Sequence, residues 1–424
     1  MDPVRLLMVE VVEGVGVFLA LLTFAIVINK ALREVGEALD RHRRTLIEPA
    51  VFEYLGAASS RPQRDALPRS SSRRDRRLVE EILLEAARVV KGETRDRVTA
   101  AFEALGSVRE TIRALHSRRW WKRAEAAERL GLMRSRTAVE PLVALMSDPE
   151  AEVRIRAARA LGLIRGSTSI RPLVSALADP SRWSAIRVAE ILINVGVEAV
   201  DELLVAYETL PLNARVSALD VLGRIRSLRA VGLMKQCLSD AHPDIRARAA
   251  HGLGLIGDPG TAPDLIRALR DTEWPPRAMA AKSLGRLRDP AAIGPLRESM
   301  RDRQWWVRYN SGEALRALGP EGLEALIDML SSDDPYARHM AVAQLEEGRV
   351  IDQFVADLTS NDAGKRAAAI RFVDKVTAAA RIDDTTRQAA RSAQEGVRHA
   401  LSNILKTPSP APASSPGKGD GGRS

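Results

Sequence analysis

The chain has 424 residues, room for two or three ordinary domains or one elongated array. Aromatic residues make up only 4% while Ala, Leu, Arg and Glu abound, which favours helices over strands. A net charge of +9 keeps acidic proteins, anionic membranes and nucleic acid in view as partners, and the lone Cys237 excludes an internal disulfide framework.

The one long apolar run is "LLMVEVVEGVGVFLALLTFAIVI", residues 6–28. As a helix it would reach roughly 34 Å against a hydrocarbon core of about 30 Å, which predicts a transmembrane helix, here bounded at 6–29. Glu10 and Glu13 lie one turn apart near one end, placed for the headgroup boundary or, alternatively, for a polar contact to another membrane helix. Only Arg5 precedes the run, whereas Lys30, Arg33, Arg41, Arg43 and Arg44 follow it, so the positive-inside rule puts the rest of the chain in the cytoplasm. Residues 30–58 continue as a juxtamembrane amphipathic helix interrupted near Pro49, and 59–77 ("SSRPQRDALPRSSSRRDRR") read as a basic flexible linker. Residues 406–424, rich in Pro, Ser and Gly, read as a disordered tail.

Between these segments the chain repeats. Asp148, Asp179, Asp240, Asp271, Asp302 and Asp333 recur at one constant interval, apart from a nearly doubled step between Asp179 and Asp240. Arg123, Arg154, Arg215, Arg246, Arg277, Arg308 and Arg338 form a second column. Leu–Gly pairs ending at Gly131, Gly162, Gly223, Gly254 and Gly285 form a third. Such a period means a stack of repeated units. Each unit reads as two helices. "AVEPLVALM" carries Pro141 at its start, and "SDPEA" makes the turn. "EVRIRAARALGLI" then sets Val153, Ala157, Ala158, Leu161 and Ile164 in one apolar stripe. One hairpin alone exposes that stripe, and its neighbour buries it. Gly162, inside the stripe, reads as a residue of close helix contact more than a cap.

The pattern Pro…Leu-x-x-Leu followed by Asp-x5-(Val/Ile)-Arg-x2-Ala-Ala-x2-Leu-Gly-x-Ile resembles the HEAT repeat in its short, phycobilin-lyase-like form. The likeness is best over 107–346, with worn units extending the array to 78–405. It implies an all-α, right-handed α-solenoid with an Asp–Arg hydrogen-bond ladder between successive turns and the second helices on a concave face. Asp148 with Arg154, Asp240 with Arg246, Asp271 with Arg277 and Asp302 with Arg308 match the ladder. The unit 179–209 departs, with Ala185 where Arg is expected, which marks a weak rung. The resemblance extends to membrane-anchored bacterial HEAT proteins. That implies a cell inner-membrane, single-pass location and a membrane-associated protein partner, such as a glycosyltransferase of polysaccharide synthesis.

All six tryptophans fall three or four residues after the repeat's Asp, or after Ser117 where the first unit lacks one: Trp120, Trp121, Trp183, Trp274, Trp305 and Trp306. The single ones, Trp183 and Trp274, are expected to pack over the helix start. In each adjacent pair the second ring should be exposed, and an exposed Trp beside Arg119, Lys122, Arg303 or Arg308 is the composition of an interface hot spot. The six together form the expected partner-binding edge.

Chemistry-bearing motifs are missing. "HGLGLIG", residues 251–257, contains Gly-x-Gly-x-x-Gly but aligns with the end of a repeat helix rather than a strand–helix turn. No P-loop, His-Glu-x-x-His, Cys-x-x-Cys or Gly-x-Ser-x-Gly is present, and the six histidines are scattered. No cofactor, metal or catalytic residue is therefore expected, and Cys237 reads as a packed thiol. Outward positions on the second helices alternate in sign (Glu128, Arg156, Arg159, Arg187, Glu190, Asp220, Arg248), which disfavours a phosphate-tracking stripe for nucleic acid. The expectation is a non-catalytic interaction scaffold. The alternative is a HEAT-fold enzyme, lyase-like or nucleic-acid-repair-like, with acids such as Glu190 or Asp220 in the groove.

Overall fold

The computed structural model describes residues 3–56, 72–179 and 183–380, and among them there is no strand. They fall into two compact units divided between Glu198 and Ala199, within the irregular repeat.

The first unit opens with α1 (Pro3–Gly56), α2 (Arg73–Val89), α3 (Glu93–Leu105) and α4 (Ser107–Ala114). Its repeats follow as α5 (Trp120–Met133), α6 (Val139–Leu145), α7 (Ala151–Ile164), α8 (Ser167–Ala176) and α9 (Ala185–Val195). The second unit takes in α10 (Glu198–Ala206) from Ala199 onward, then α11 (Leu212–Ile225), α12 (Val231–Cys237), α13 (Pro243–Ile256) and α14 (Ala262–Ala268). It continues through α15 (Trp274–Leu287), α16 (Ile293–Ser299), α17 (Trp305–Ala317), α18 (Pro320–Met329), α19 (Pro335–Glu347), α20 (Val350–Asp357) and α21 (Ala363–Ala380).

The expected stripe of α7, from Val153 to Ile164, is buried in full. Corresponding helices stack side by side, and small residues set their spacing. A methyl group added at Gly131 would stand 2.7 Å from Ala160 Cα, at Gly223 2.8 Å from Gly252 Cα, and at Gly285 2.8 Å from Ala314 Cα. These are distances at which only hydrogen fits, so at these three positions the Leu–Gly column is a requirement of backbone approach. Helix ends are marked chemically: Pro243, Pro320 and Pro335 stand in the first turn, where a missing N–H costs little, and Gly257 ends α13 in the left-handed region at φ 80°.

Two boundaries differ from the sequence expectation. α1 runs through Pro49, because the segment beyond it is anchored by buried Val51, Tyr54 and Leu55. The residues 73–77 assigned to the linker are helical. Ser72 Oγ caps α2 by accepting from Asp75 N at 3.1 Å, and Asp40 and Arg43 of α1 hold Arg74 and Asp75 at 2.8 and 3.3 Å. The rest of the linker, 59–71, and the tail 406–424 lie outside the described residues.

The expected single-pass inner-membrane location is corrected: among the described residues no helix is long and apolar enough to cross a membrane. The apolar run of α1 carries Glu10 and Glu13 within it and is followed by Lys30, Arg33 and Glu34. Side chains of residues 3–18, with Glu10 and Glu13, lie outside the described residues. The transmembrane assignment and the cytoplasmic orientation drawn from it fall together.

Candidate partner-binding surface

The turns before α7, α13, α15 and α17 share one pattern of two bonds. Asp302 Oδ1 accepts from Gln304 N at 2.8 Å, closing the turn before α17, while both its oxygens accept from Arg277 of the preceding repeat at 2.7 and 2.9 Å. Arg277 also donates to its own turn, at Asp271 O, 2.9 Å. The unit recurs: Arg246 forks onto Asp271 at 2.7 Å for each bond, and Arg123 onto Asp148 at 2.7 and 2.9 Å. Arg154 reaches Asp148 O at 2.8 Å and Arg308 reaches Asp302 O at 2.8 Å. Arg215 lies 3.7 Å from Asp240, a looser rung beside the irregular repeat. The ladder is thus a forked bond from one repeat's Arg to the next repeat's Asp, plus a backbone tie within each turn. Burial alone would raise the Asp302 carboxyl. The Arg277 fork and the Gln304 amide outweigh it and hold the group below the usual carboxylate range.

The tryptophans stand on these pinned turns. Trp305 and Trp306 open α17, 47% and 54% exposed, with ring centroids 4.7 Å apart and nearly perpendicular. Tyr309, one turn on, stacks under Trp305 at 4.9 Å and donates to Glu347 at 3.4 Å. Trp274 opens α15 and is 39% exposed, more open than a packing residue should be. In the first unit Trp120 and Trp121 open α5, T-shaped at 6.2 Å, with the Arg119 guanidinium 5.4 Å over Trp121. There Ser117 replaces Asp: its Oγ accepts from Arg119 N at 3.3 Å and its carbonyl accepts from Arg123 at 2.9 Å.

Trp183 must be removed from the edge. It precedes the cap residue Ser184, donates its backbone N–H to Asp179 O at 3.1 Å, and is buried with 8% exposure, so it packs where the others present a face. Tyr336 belongs in its place. It stands from Trp306 as Arg338 stands from Arg308, in the first turn of α19, and is 64% exposed with the Arg308 guanidinium 5.1 Å over its ring. Tracking indoles alone missed it, although the offset that carries Arg308 to Arg338 points to it.

The HEAT-repeat family model matches residues 108–194, 200–277 and 262–346, more than half of the chain. The chain belongs to the HEAT-repeat family. Among solved structures, human deoxyhypusine hydroxylase in complex with glycerol is similar over 57% of this chain and 98% of its own, at 22% identity and a TM-score of 0.26. The karyopherin Kap121p bound to Pho4p is similar over 84% of this chain and 47% of its own, at 14% identity and a TM-score of 0.43. No curated protein matches the sequence.

The HEAT frame accounts for the residues that could have suggested chemistry. Gly252 and Gly254 are interior to α13, and a methyl at Gly254 would meet Ser283 Cα at 2.7 Å, so the Gly-x-Gly-x-x-Gly run serves helix contact and the cap at Gly257. Cys237 is buried with its thiol 3.3 Å from the Tyr207 hydroxyl, and burial pushes it above the usual thiol range. Asp220 pairs with Arg248 at 2.9 Å. Among the described residues no three His, Cys, Asp or Glu side chains gather closely enough to hold a metal.

Proposed function

We propose that this HEAT protein is a non-catalytic interaction scaffold whose protein partner docks on the aromatic second-helix starts, with Trp305, Trp306, Tyr309 and Tyr336 at the centre and Trp274 beside them. The observation that carries this is the half-exposed Trp305–Trp306–Tyr309 cluster on a turn pinned by Asp302. Rigid indoles beside arginine are the composition of binding hot spots, and a surface already ordered loses little entropy on binding. Trp120 and Trp121, beside Arg119, repeat the arrangement in the first unit. The short period, stepping from Asp240 to Asp271 to Asp302, supports the phycobilin-lyase-like form of the repeat.

The test is in-cell crosslinking of the whole chain followed by purification, comparing wild type with Trp305→Ala/Trp306→Ala. The double variant is expected to melt within about 2 °C of wild type, as exposed rings allow. It should lose a stoichiometric partner, in line with a penalty of about 2–4 kcal/mol for truncating hot-spot indoles. Retention of the partner at full stoichiometry by the folded variant overturns the assignment.

A further inference from the structure

The exposed faces of the second helices carry a second set of rungs, each joining residues 28 apart in neighbouring repeats. Glu128 pairs with Arg156, and Asp220 pairs with Arg248 at 2.9 Å. At the equivalent rung between α7 and α9 the chain places Arg159 and Arg187: two cations, no acid. Among the described residues neither has a hydrogen-bond or ion-pair partner, and both are exposed. They line a cleft of about 260 Å³ together with an aliphatic wall of Ile155, Leu163, Ile191 and Val195 and the polar side chains of Arg165, Glu190 and Asn194.

The cleft is open for a packing reason. Where α5 meets α7, Gly131 faces the backbone of Ala160. Where α7 meets α9, Gly162 instead faces branched side chains, Ile191 Cγ2 at 3.0 Å and Val195 Cγ2 at 3.3 Å from an added methyl, which prop the helices apart. Glu190 also lines the cleft without an ion pair, and Arg165 there is neutralised by Glu198 at 3.0 Å. Counting both, the cleft keeps a net positive charge. Two guanidinium forks around an absent acid, beside an apolar wall, are complementary to a carboxylate next to an aliphatic group.

We propose that the α7–α9 cleft is a binding site for an acidic peptide, taking one Glu or Asp carboxylate between Arg159 and Arg187 and a neighbouring aliphatic side chain on the Ile155–Leu163–Ile191–Val195 wall. This rests on the reading that the protein binds protein partners, but at a site separate from the tryptophans.

The experiment is fluorescence anisotropy on the whole chain with labelled acetyl-Leu-Glu-Leu-Glu-amide, its Gln counterpart, and inorganic phosphate as competitor. The Glu peptide is expected to bind saturably and to weaken about tenfold in Arg159→Gln and in Arg187→Gln. Trp305→Ala/Trp306→Ala should leave it unchanged, which separates this site from the partner surface. Arg159→Glu rebuilds the acid–base rung seen at Glu128–Arg156, so it should raise the melting temperature while abolishing peptide binding. Equal binding of the Gln peptide, no binding at millimolar peptide, or full binding by Arg159→Glu overturns the proposal. Displacement by phosphate at concentrations equal to the peptide's also overturns it, in favour of a small-anion site.

Discussion

Substituting Gly285 with Ala tests the close helix approach that underlies everything else. In an unconstrained helix interior the change would stabilise by about 1 kcal/mol, because Ala is the better helix former. Here the added methyl would lie 2.8 Å from Ala314 Cα and 2.9 Å from its Cβ, against the 3.5–4.0 Å that carbon atoms prefer. α15 and α17 must separate by roughly 0.7–1 Å. That strips part of the dispersion contact from buried Leu284 and Leu315, and overpacking of this kind costs about 1–3 kcal/mol. The overpacking wins, leaving a net loss of about 1–2 kcal/mol and a melting temperature lower by about 3–6 °C for a unit of this size. Gly294, in α16, is the control: nothing lies within 4 Å of its added methyl, so Gly294→Ala is expected to gain about 0.5 kcal/mol. Calorimetry of both variants decides it, and a Gly285→Ala protein that melts at or above wild type would refute the backbone contact.

The remaining predictions concern charge. His251 is pushed down to about 4, first by burial and then by Arg286, Arg248 and Lys282, and its Nδ1 faces the Arg286 guanidinium at 3.3 Å. The unfolded chain takes up this proton first, so stability should fall as pH drops from about 6.5 to about 4, by about 1–2 kcal/mol after solvent screening. Denaturant midpoints should lose that slope in His251→Gln. Asp271 behaves differently. Burial raises its carboxyl, but the Arg246 fork and the Glu273 amide bring it below the usual carboxylate range. Its contribution is therefore complete above about pH 4 and lost as pH falls through the folded value. Asp271→Asn keeps the turn bond and loses the charged fork. It should cost about 2 kcal/mol at pH 7 and flatten the acid limb of the stability curve below pH 4, leaving the His251 window intact.

The repeat was legible because its columns answer to strict demands: no other residue fits where Gly131 faces Ala160, and few close a turn while accepting a fork as Asp302 does. The direction of the fork was not. An Asp six residues before one Arg and 25 after another is equally compatible with either bond, and only coordinates show that Asp148 takes the side chain of Arg123 while Arg154 takes the Asp148 carbonyl. Likewise "RSSSRRDRR" has linker composition, yet its last residues join α2 because Asp40 and Arg43, far earlier in the chain, supply their partners. Burial of Trp183 was half visible: a lone indole is expected to pack, and an offset of two residues, from before the cap Ser184 to the first helical position, separates a buried ring from one that opens a helix.

That offset shows how one frame supports different surfaces. An Asp turn holds the start of α17 and of α19, Asp302 accepting from Gln304 N and Asp334 from Tyr336 N, so the residue just beyond is displayed at low conformational cost, whatever it is. At α17 it is Trp, and at α19 it is Tyr. The rungs 28 residues apart vary in the same manner, from acid with Arg at 128 and 156 to Arg with Arg at 159 and 187, without disturbing Leu161 or Leu192 beneath them. A like-charged rung would be a plain defect in a frame that had to close there. α7 and α9 do not close, because Ile191 and Val195 hold them apart, and the two arginines line the gap that results. The residues that hold the repeat together and the residues it displays therefore stand in different columns.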